Sequence, residues 1–165
     1  RGVQCVLLDE DDTIGVRGAS SRGICYAQKS LEIFARLGTY PRIAERGITW
    51  SVGRTMAGAD EVYSFNLQLE SHSVQPPFIN LQQFYIEWFL VDRIGELTAC
   101  DLRWRNRVVA CEQDEECVVL EVETPAGRYT LEADWVVDAT GVHSPIRQGF
   151  ALETHPSKSA DRWCI

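Results

Sequence analysis

The chain has 165 residues, of which 45% are hydrophobic and 24% charged, and it carries a formal net charge of −8. That length supports one core and roughly one domain. The acidic balance excludes long-range attraction to nucleic acid or an anionic membrane, and no apolar run approaches the ~20 residues of a spanning helix.

Val3–Leu8 is a short apolar run between Gly2 and Asp9. It reads as a strand buried on both faces. Gly2 reads as the residue that closes a preceding helix, because glycine enters the left-handed region without a Cβ clash. On this reading the chain begins inside a βαβ unit. Residues 10–21 are polar and turn-rich. Ser20 or Ser21 then offers a cap for a helix carrying Ile24, Ala27, Leu31, Phe34 and Leu37 at helical spacing. Gly38 is its stop, and Pro41 starts a second helix that Gly47 ends.

Residues 48–69 alternate in character and predict two strands, a hairpin whose turn is flanked by Gly53 and Gly58. Pro76-Pro77 marks a loop. Leu81–Leu97 is apolar on all sides and predicts a helix of about four turns, buried on several faces. Val108–Cys111, Cys117–Val122 and Tyr129–Leu131 are closely spaced runs, which predict an antiparallel meander. Trp135–Asp138 reads as another buried strand, and Asp138-Ala139-Thr140-Gly141 as the tight loop after it.

The six cysteines are Cys5, Cys25, Cys100, Cys111, Cys117 and Cys164. They form no CxxC pair and no zinc spacing with His72, His143 or His155. Cys5 and Cys111 read as small buried hydrophobes, and the natural setting is reduced and cytoplasmic.

Several residues carry binding chemistry. A carboxylate at the end of a strand, as at Asp9, accepts hydrogen bonds from two vicinal ribose hydroxyls; Asp9 is equally the first acid of a solvated run, Asp9-Glu10-Asp11-Asp12. An arginine near a helix start, as at Arg22 or Arg17, matches phosphate oxygens with its planar fork, or is simply a surface residue. Asn80, Gln82 and Gln83 open the long apolar helix, where an amide caps the helix or holds a ligand. Thr140 and Gly141 follow a strand, where small residues admit a ligand to the backbone or merely make a turn. No GxSxG or HExxH motif is present.

Taken in order, Leu7-Leu8-Asp9, Ser21-Arg22-Gly23-Ile24-Cys25, Lys29-Ser30-Leu31-Glu32-Ile33-Phe34 with Leu37-Gly38, Phe78-Ile79-Asn80-Leu81-Gln82-Gln83 and Ala133-Asp134-Trp135-Val136-Val137-Asp138-Ala139-Thr140-Gly141 with Ser144-Pro145-Ile146-Arg147 resemble one family. It is the class A FAD-dependent aromatic-ring hydroxylases of the p-hydroxybenzoate hydroxylase fold. Within it, the chain looks most like the 3-(3-hydroxyphenyl)propionate hydroxylase-like proteins. The resemblance implies an α/β fold. Residues 1–150 would be a partial FAD-binding, Rossmann-like domain of the glutathione-reductase type with an antiparallel β-meander. Residues 48–69 would be a hairpin belonging to the substrate sheet, and residues 151–165 the start of the next segment.

The resemblance also implies roles. Asp9 would bind the adenosine ribose, Arg22 the FAD pyrophosphate, and Gln83 would lie near the FAD. Thr140 and Gly141 would serve both FAD and NAD(P)H, with Arg147 closing that motif. A small aromatic substrate would be hydroxylated with NAD(P)H and oxygen. No catalytic base is assigned, because the chemistry is the cofactor's. The chain departs from the family in lacking the GxGxxG turn and the later Gly-Asp segment, and in having Thr140 where the family usually has Asp. The 165 residues alone are therefore expected to hold FAD weakly or not at all. The alternative readings are another FAD-dependent oxidoreductase, of halogenase, reductase or epoxidase type, or a non-catalytic fragment.

Overall fold

The computed structural model describes residues 2–14, 23–67, 73–141 and 143–152. The chain divides into two compact units: residues 1–7 with 11–103, and residues 8–10 with 104–165.

β1 (Cys5–Leu8), which lies in the first unit up to Leu7, pairs with a strand at Cys100–Arg103. A three-stranded sheet is built from β2 (Cys25–Ala27), β3 (Ile48–Trp50) and β6 (Phe78–Asn80), with β6 central and antiparallel to both neighbours. Between these strands lie α1 (Gln28–Leu37), α2 (Tyr40–Arg46), the hairpin β4 (Val52–Ala57) and β5 (Asp60–Asn66), and then α3 (Gln83–Gly95) and β7 (Cys100–Arg103).

The core of this unit is Leu31, Ile43, Ile79, Leu81, Ile86 and Phe89. Leu31, Ile43 and Ile79 are fully buried, and each such side chain contributes roughly 1.5–3 kcal/mol by leaving water. Arg42 lies over the Phe89 ring at 4.2 Å and pairs with Asp92 at 2.8 Å. Arg93, in the last turn of α3, donates to the carbonyl of Leu37 at the end of α1. Gly38 closes α1 with φ +84, as its position after Leu37 predicts. Gly47 ends α2.

The second unit is built on the meander β8 (Arg107–Gln113), β9 (Val118–Thr124) and β10 (Gly127–Ala133), antiparallel with β9 central. Val118, Leu120 and Val122 alternate along β9 and are buried, with Leu8, Val136 and Ile146 packed against them. A register shift at Val108/Ala110 bulges β8. A short helix, α4 (Pro145–Gly149), follows.

The structure corrects several expectations. Residues 25–27 are strand rather than helix, and α1 starts only at Gln28. Cys25, Tyr26 and Ala27 each face a residue of β6, and that pairing overrides their helical spacing. Ser20 and Ser21 lie outside the described residues. The hairpin turn falls at Gly58, φ +65, whereas Gly53 lies inside β4 beneath the Phe65 ring. β1 is exposed along most of its length rather than buried, and Cys5 with it; among the described residues its sheet is two strands wide. Residues 135–138 form no strand, because they pair with no neighbour among the described residues, and Trp135 and Val137 are 89% and 90% exposed. Helix α3 buries only Ile86 and Phe89 and leaves Phe84 and Trp88 well exposed, so it is covered on one side.

Candidate functional site

Asp9 directly follows β1 and its side chain is exposed. Its backbone is fixed: the carbonyl accepts from the Asn106 amide at 2.8 Å. Asn106 is itself held twice more. Its side-chain nitrogen donates to the carbonyl of Trp104, and its side-chain oxygen accepts from the Tyr129 hydroxyl at 2.8 Å. A carboxylate is thus presented to solvent from an anchored backbone.

The loop after residue 137 is organised by a residue to which sequence reasoning gave no role. One carboxylate oxygen of Asp138 accepts from both the amide (3.0 Å) and the hydroxyl (2.6 Å) of Thr140. The other accepts from the Ser144 hydroxyl. These bonds, Ser144 first, then the Thr140 hydroxyl and amide, together with the charge of Arg147, hold the Asp138 carboxyl below the usual carboxylate range. Ser144 is 1% exposed and also caps α4, accepting from the Arg147 amide at 2.9 Å. Gly141 has φ +86, and a Cβ there would meet nothing within 4 Å. The loop therefore needs glycine for its backbone, and it leaves that face open. The spacing Asp138-x-Thr140 with Ser144 before Pro145 was the available signal, that of an Asx turn leading into a helix cap.

Gln83 starts α3, and both ends of its side chain are engaged. Its Oε1 accepts from the Gly23 amide at 3.0 Å, and its Nε2 donates to Glu87 at 2.7 Å. Its own amide donates to the Gly23 carbonyl at 3.1 Å. Gln83 thereby clamps the residue next to Arg22. Arg22 and Arg17 lie outside the described residues. Asn80 does not cap the helix: it lies in β6, where its side-chain oxygen accepts from the Trp50 indole at 2.7 Å. Gln82 occupies the N-cap position without a side-chain bond to the helix. The structure brings Thr140, Gly141 and Arg147 into one loop-and-helix start. Asp9 belongs to the same unit, and Gln83 to the other.

The family model described as FAD binding domain matches residues 1–163. The chain belongs to that FAD-binding-domain family. It is 24% identical over 153 residues to a para-nitrophenol 4-monooxygenase of Pseudomonas sp. (strain WBC-3), covering 92% of this chain and 37% of that protein. Over 81 residues it is 40% identical to a 3-(3-hydroxy-phenyl)propionate/3-hydroxycinnamic acid hydroxylase of Burkholderia cenocepacia (strain HI2424), covering 46% of this chain and 15% of that protein. Its fold matches a crystal structure of p-nitrophenol 4-monooxygenase PnpA from Pseudomonas putida DLL-E4 with a TM-score of 0.83 at 23% identity, over 92% of this chain and 38% of that one. The chain thus spans well under half the length of these relatives.

FAD is the cofactor this family indicates, and the donor set present is compatible with part of it. An exposed carboxylate on an anchored backbone at Asp9 suits paired hydroxyls. The open face at Gly141 suits close approach of a ligand to the backbone. The Gln83 amide, spent on Gly23 and Glu87, suits positioning rather than direct contact. Among the described residues, no group of His, Cys, Asp and Glu is arranged to hold a metal, and no helix is long and apolar enough to cross a membrane.

Proposed function

We propose that this chain contributes the FAD-binding region of a monooxygenase that hydroxylates phenolic or aromatic-acid substrates with NAD(P)H and oxygen. The observation that carries the proposal is the family match over residues 1–163, joined to relatives named as phenol and hydroxyphenylpropionate oxygenases. The bound FAD would supply the redox chemistry, passing electrons from the reduced nicotinamide to oxygen.

The chain's own residues bind and orient. The Asp9 carboxylate accepts hydrogen bonds from the adenosine ribose. Arg22 pairs with the pyrophosphate, and Gln83 holds the neighbouring Gly23. Thr140 and Gly141 approach FAD and NAD(P)H, held in shape by Asp138, with Arg147 in α4 closing the motif. The partner is a small aromatic molecule, and the setting is cytoplasmic.

The test is the visible absorption spectrum of the natural polypeptide carrying this sequence, purified without added cofactor. A flavin spectrum is expected, together with oxygen-dependent NAD(P)H oxidation stimulated by a phenolic acid. A colourless protein that takes up no added FAD overturns the proposal. A flavin spectrum without phenol-stimulated turnover keeps FAD and rejects the hydroxylase.

A further inference from the structure

We propose that Cys5 and Cys100 form an oxidisable dithiol that closes to a disulfide between β1 and β7 on reaction with hydrogen peroxide. The two residues are 95 positions apart, yet the Cys5 thiol donates to the Cys100 sulfur at 3.2 Å. The strands that carry them pair in a two-stranded sheet, and the Cys5 amide donates to the Ala99 carbonyl at 2.8 Å, which pins them side by side. Both are free thiols. A disulfide is about 2.05 Å long, so closure asks the sulfurs to approach by roughly 1 Å.

The two thiols are not equivalent. Cys5 is exposed and Cys100 is half-buried. The hydrogen bond shared with Cys5, in which Cys100 keeps its proton, then burial, then the nearby charges of Cys5 and Asp101 push the Cys100 thiol up. Cys5 is therefore the thiol that meets peroxide first. Its thiolate attacks one peroxide oxygen, the O–O bond breaks, and hydroxide leaves, giving Cys5 sulfenic acid. The Cys100 sulfur then attacks the Cys5 sulfur. The S–S bond forms, the S–O bond breaks, and the hydroxyl leaves with the Cys100 proton as water. Two thiols are oxidised by two electrons, and one peroxide is reduced to two waters.

This inference rests on the geometry of β1 and β7 and does not depend on the proposed reaction. It is tested on the reduced chain, treated with hydrogen peroxide, blocked with iodoacetamide and cut with trypsin without reductant. The tryptic peptides 2–17 and 94–103 contain one cysteine each, Cys5 and Cys100. Both free peptides should be lost and reappear as one linked species, lighter than their sum by two hydrogens, which reductant separates. In urea that preference should vanish, because closing so long a loop is then disfavoured against nearer pairs such as Cys111 with Cys117. Recovery of both peptides alkylated while other cysteines are oxidised overturns the proposal, as does linkage of Cys5 mainly to another thiol. Cys100→Ser should leave Cys5 as a sulfenic acid captured by dimedone, and a folded variant without that adduct also overturns it.

Discussion

The Ser144 hydroxyl donates to the carboxylate of Asp138, six residues earlier, and in the same position accepts from the Arg147 amide of α4. One buried oxygen thus joins the loop at Thr140 to the helix that presents Arg147. Ser144→Ala removes both bonds at once. The expected loss is about 1–2 kcal/mol, the range for a helix cap with a second buried partner, read as a lower midpoint in urea unfolding.

The same pair gives a pH dependence. The Asp138 carboxyl is held below its ordinary value in the folded chain by Ser144, Thr140 and the charge of Arg147. A depressed folded value means the unfolded chain binds this proton more readily. The stabilisation is therefore present above the ordinary carboxylate range and is lost as pH falls through the folded value. A carboxyl-carbon NMR titration of Asp138 should show the depressed midpoint, and Ser144→Ala should move it upward. Thr140→Asp should move it upward too, since it replaces a hydroxyl donor at 2.6 Å with a second negative charge.

Gln83→Leu leaves the Gly23 amide and the Glu87 carboxylate without their partner on α3. A part-buried pair of this kind should cost about 1–2 kcal/mol. Gln83→Glu keeps the acceptor for Gly23 but faces Glu87 with a like charge, so it should recover stability only at low pH. Urea midpoints of both variants across pH check this. Equal midpoints for wild type and Gln83→Leu would exclude the clamp.

Gly47 is required for space rather than for backbone freedom. Its φ of −80° suits any residue, but a Cβ would stand 2.2 Å from Ile79 Cγ2 and 2.8 Å from the Ile43 carbonyl. Both neighbours belong to the fully buried set. Gly47→Ala should destabilise by about 1–3 kcal/mol through overpacking, whereas Gly95→Ala, with nothing within 4 Å, should not. Thermal midpoints of the two variants compare them.

Arg22→Ala, in the natural polypeptide, should weaken FAD retention. Losing one charge-assisted phosphate bond costs about 1.5–3 kcal/mol, roughly ten- to a hundredfold in affinity. Equilibrium dialysis with FAD measures it, and an unchanged affinity would remove Arg22 from the site.

What could be read from the sequence was what local pattern encodes. The meander at residues 107–133 followed from the close spacing of its runs, α1 from its periodicity and closing Gly38, and α2 from Pro41 and Gly47. Strands β2 and β6 were missed because three residues are too few to show a period, and Ile24 and Ala27 happened to fit a helical one. A polar residue ahead of an apolar helix suits a cap or a ligand contact, and local pattern offers only these for Asn80; its partner, Trp50, lies 30 residues away. The exposure of β1 and of residues 135–138 departed from expectation for a related reason. Apolar composition marks a surface suited to burial, but burial itself depends on a neighbouring strand. At the candidate site, Asp9 and Thr140-Gly141 were visible as residues. Asp138, Ser144 and Asn106, which fix the backbone around them, were not, since their importance lies in contacts.

Two fastenings of the candidate site are long in sequence. Asp9 is tied to Asn106, and Gly23 to Gln83. Such contacts repay the entropy of loop closure only after the intervening chain has been ordered. The backbone that presents Asp9, and the Gly23 backbone held by Gln83, therefore take shape late in folding, not as local nuclei. A peptide containing either segment alone would lack these contacts. Cofactor uptake during refolding should accordingly track the final cooperative step and lag behind the helical signal of α1 and α2.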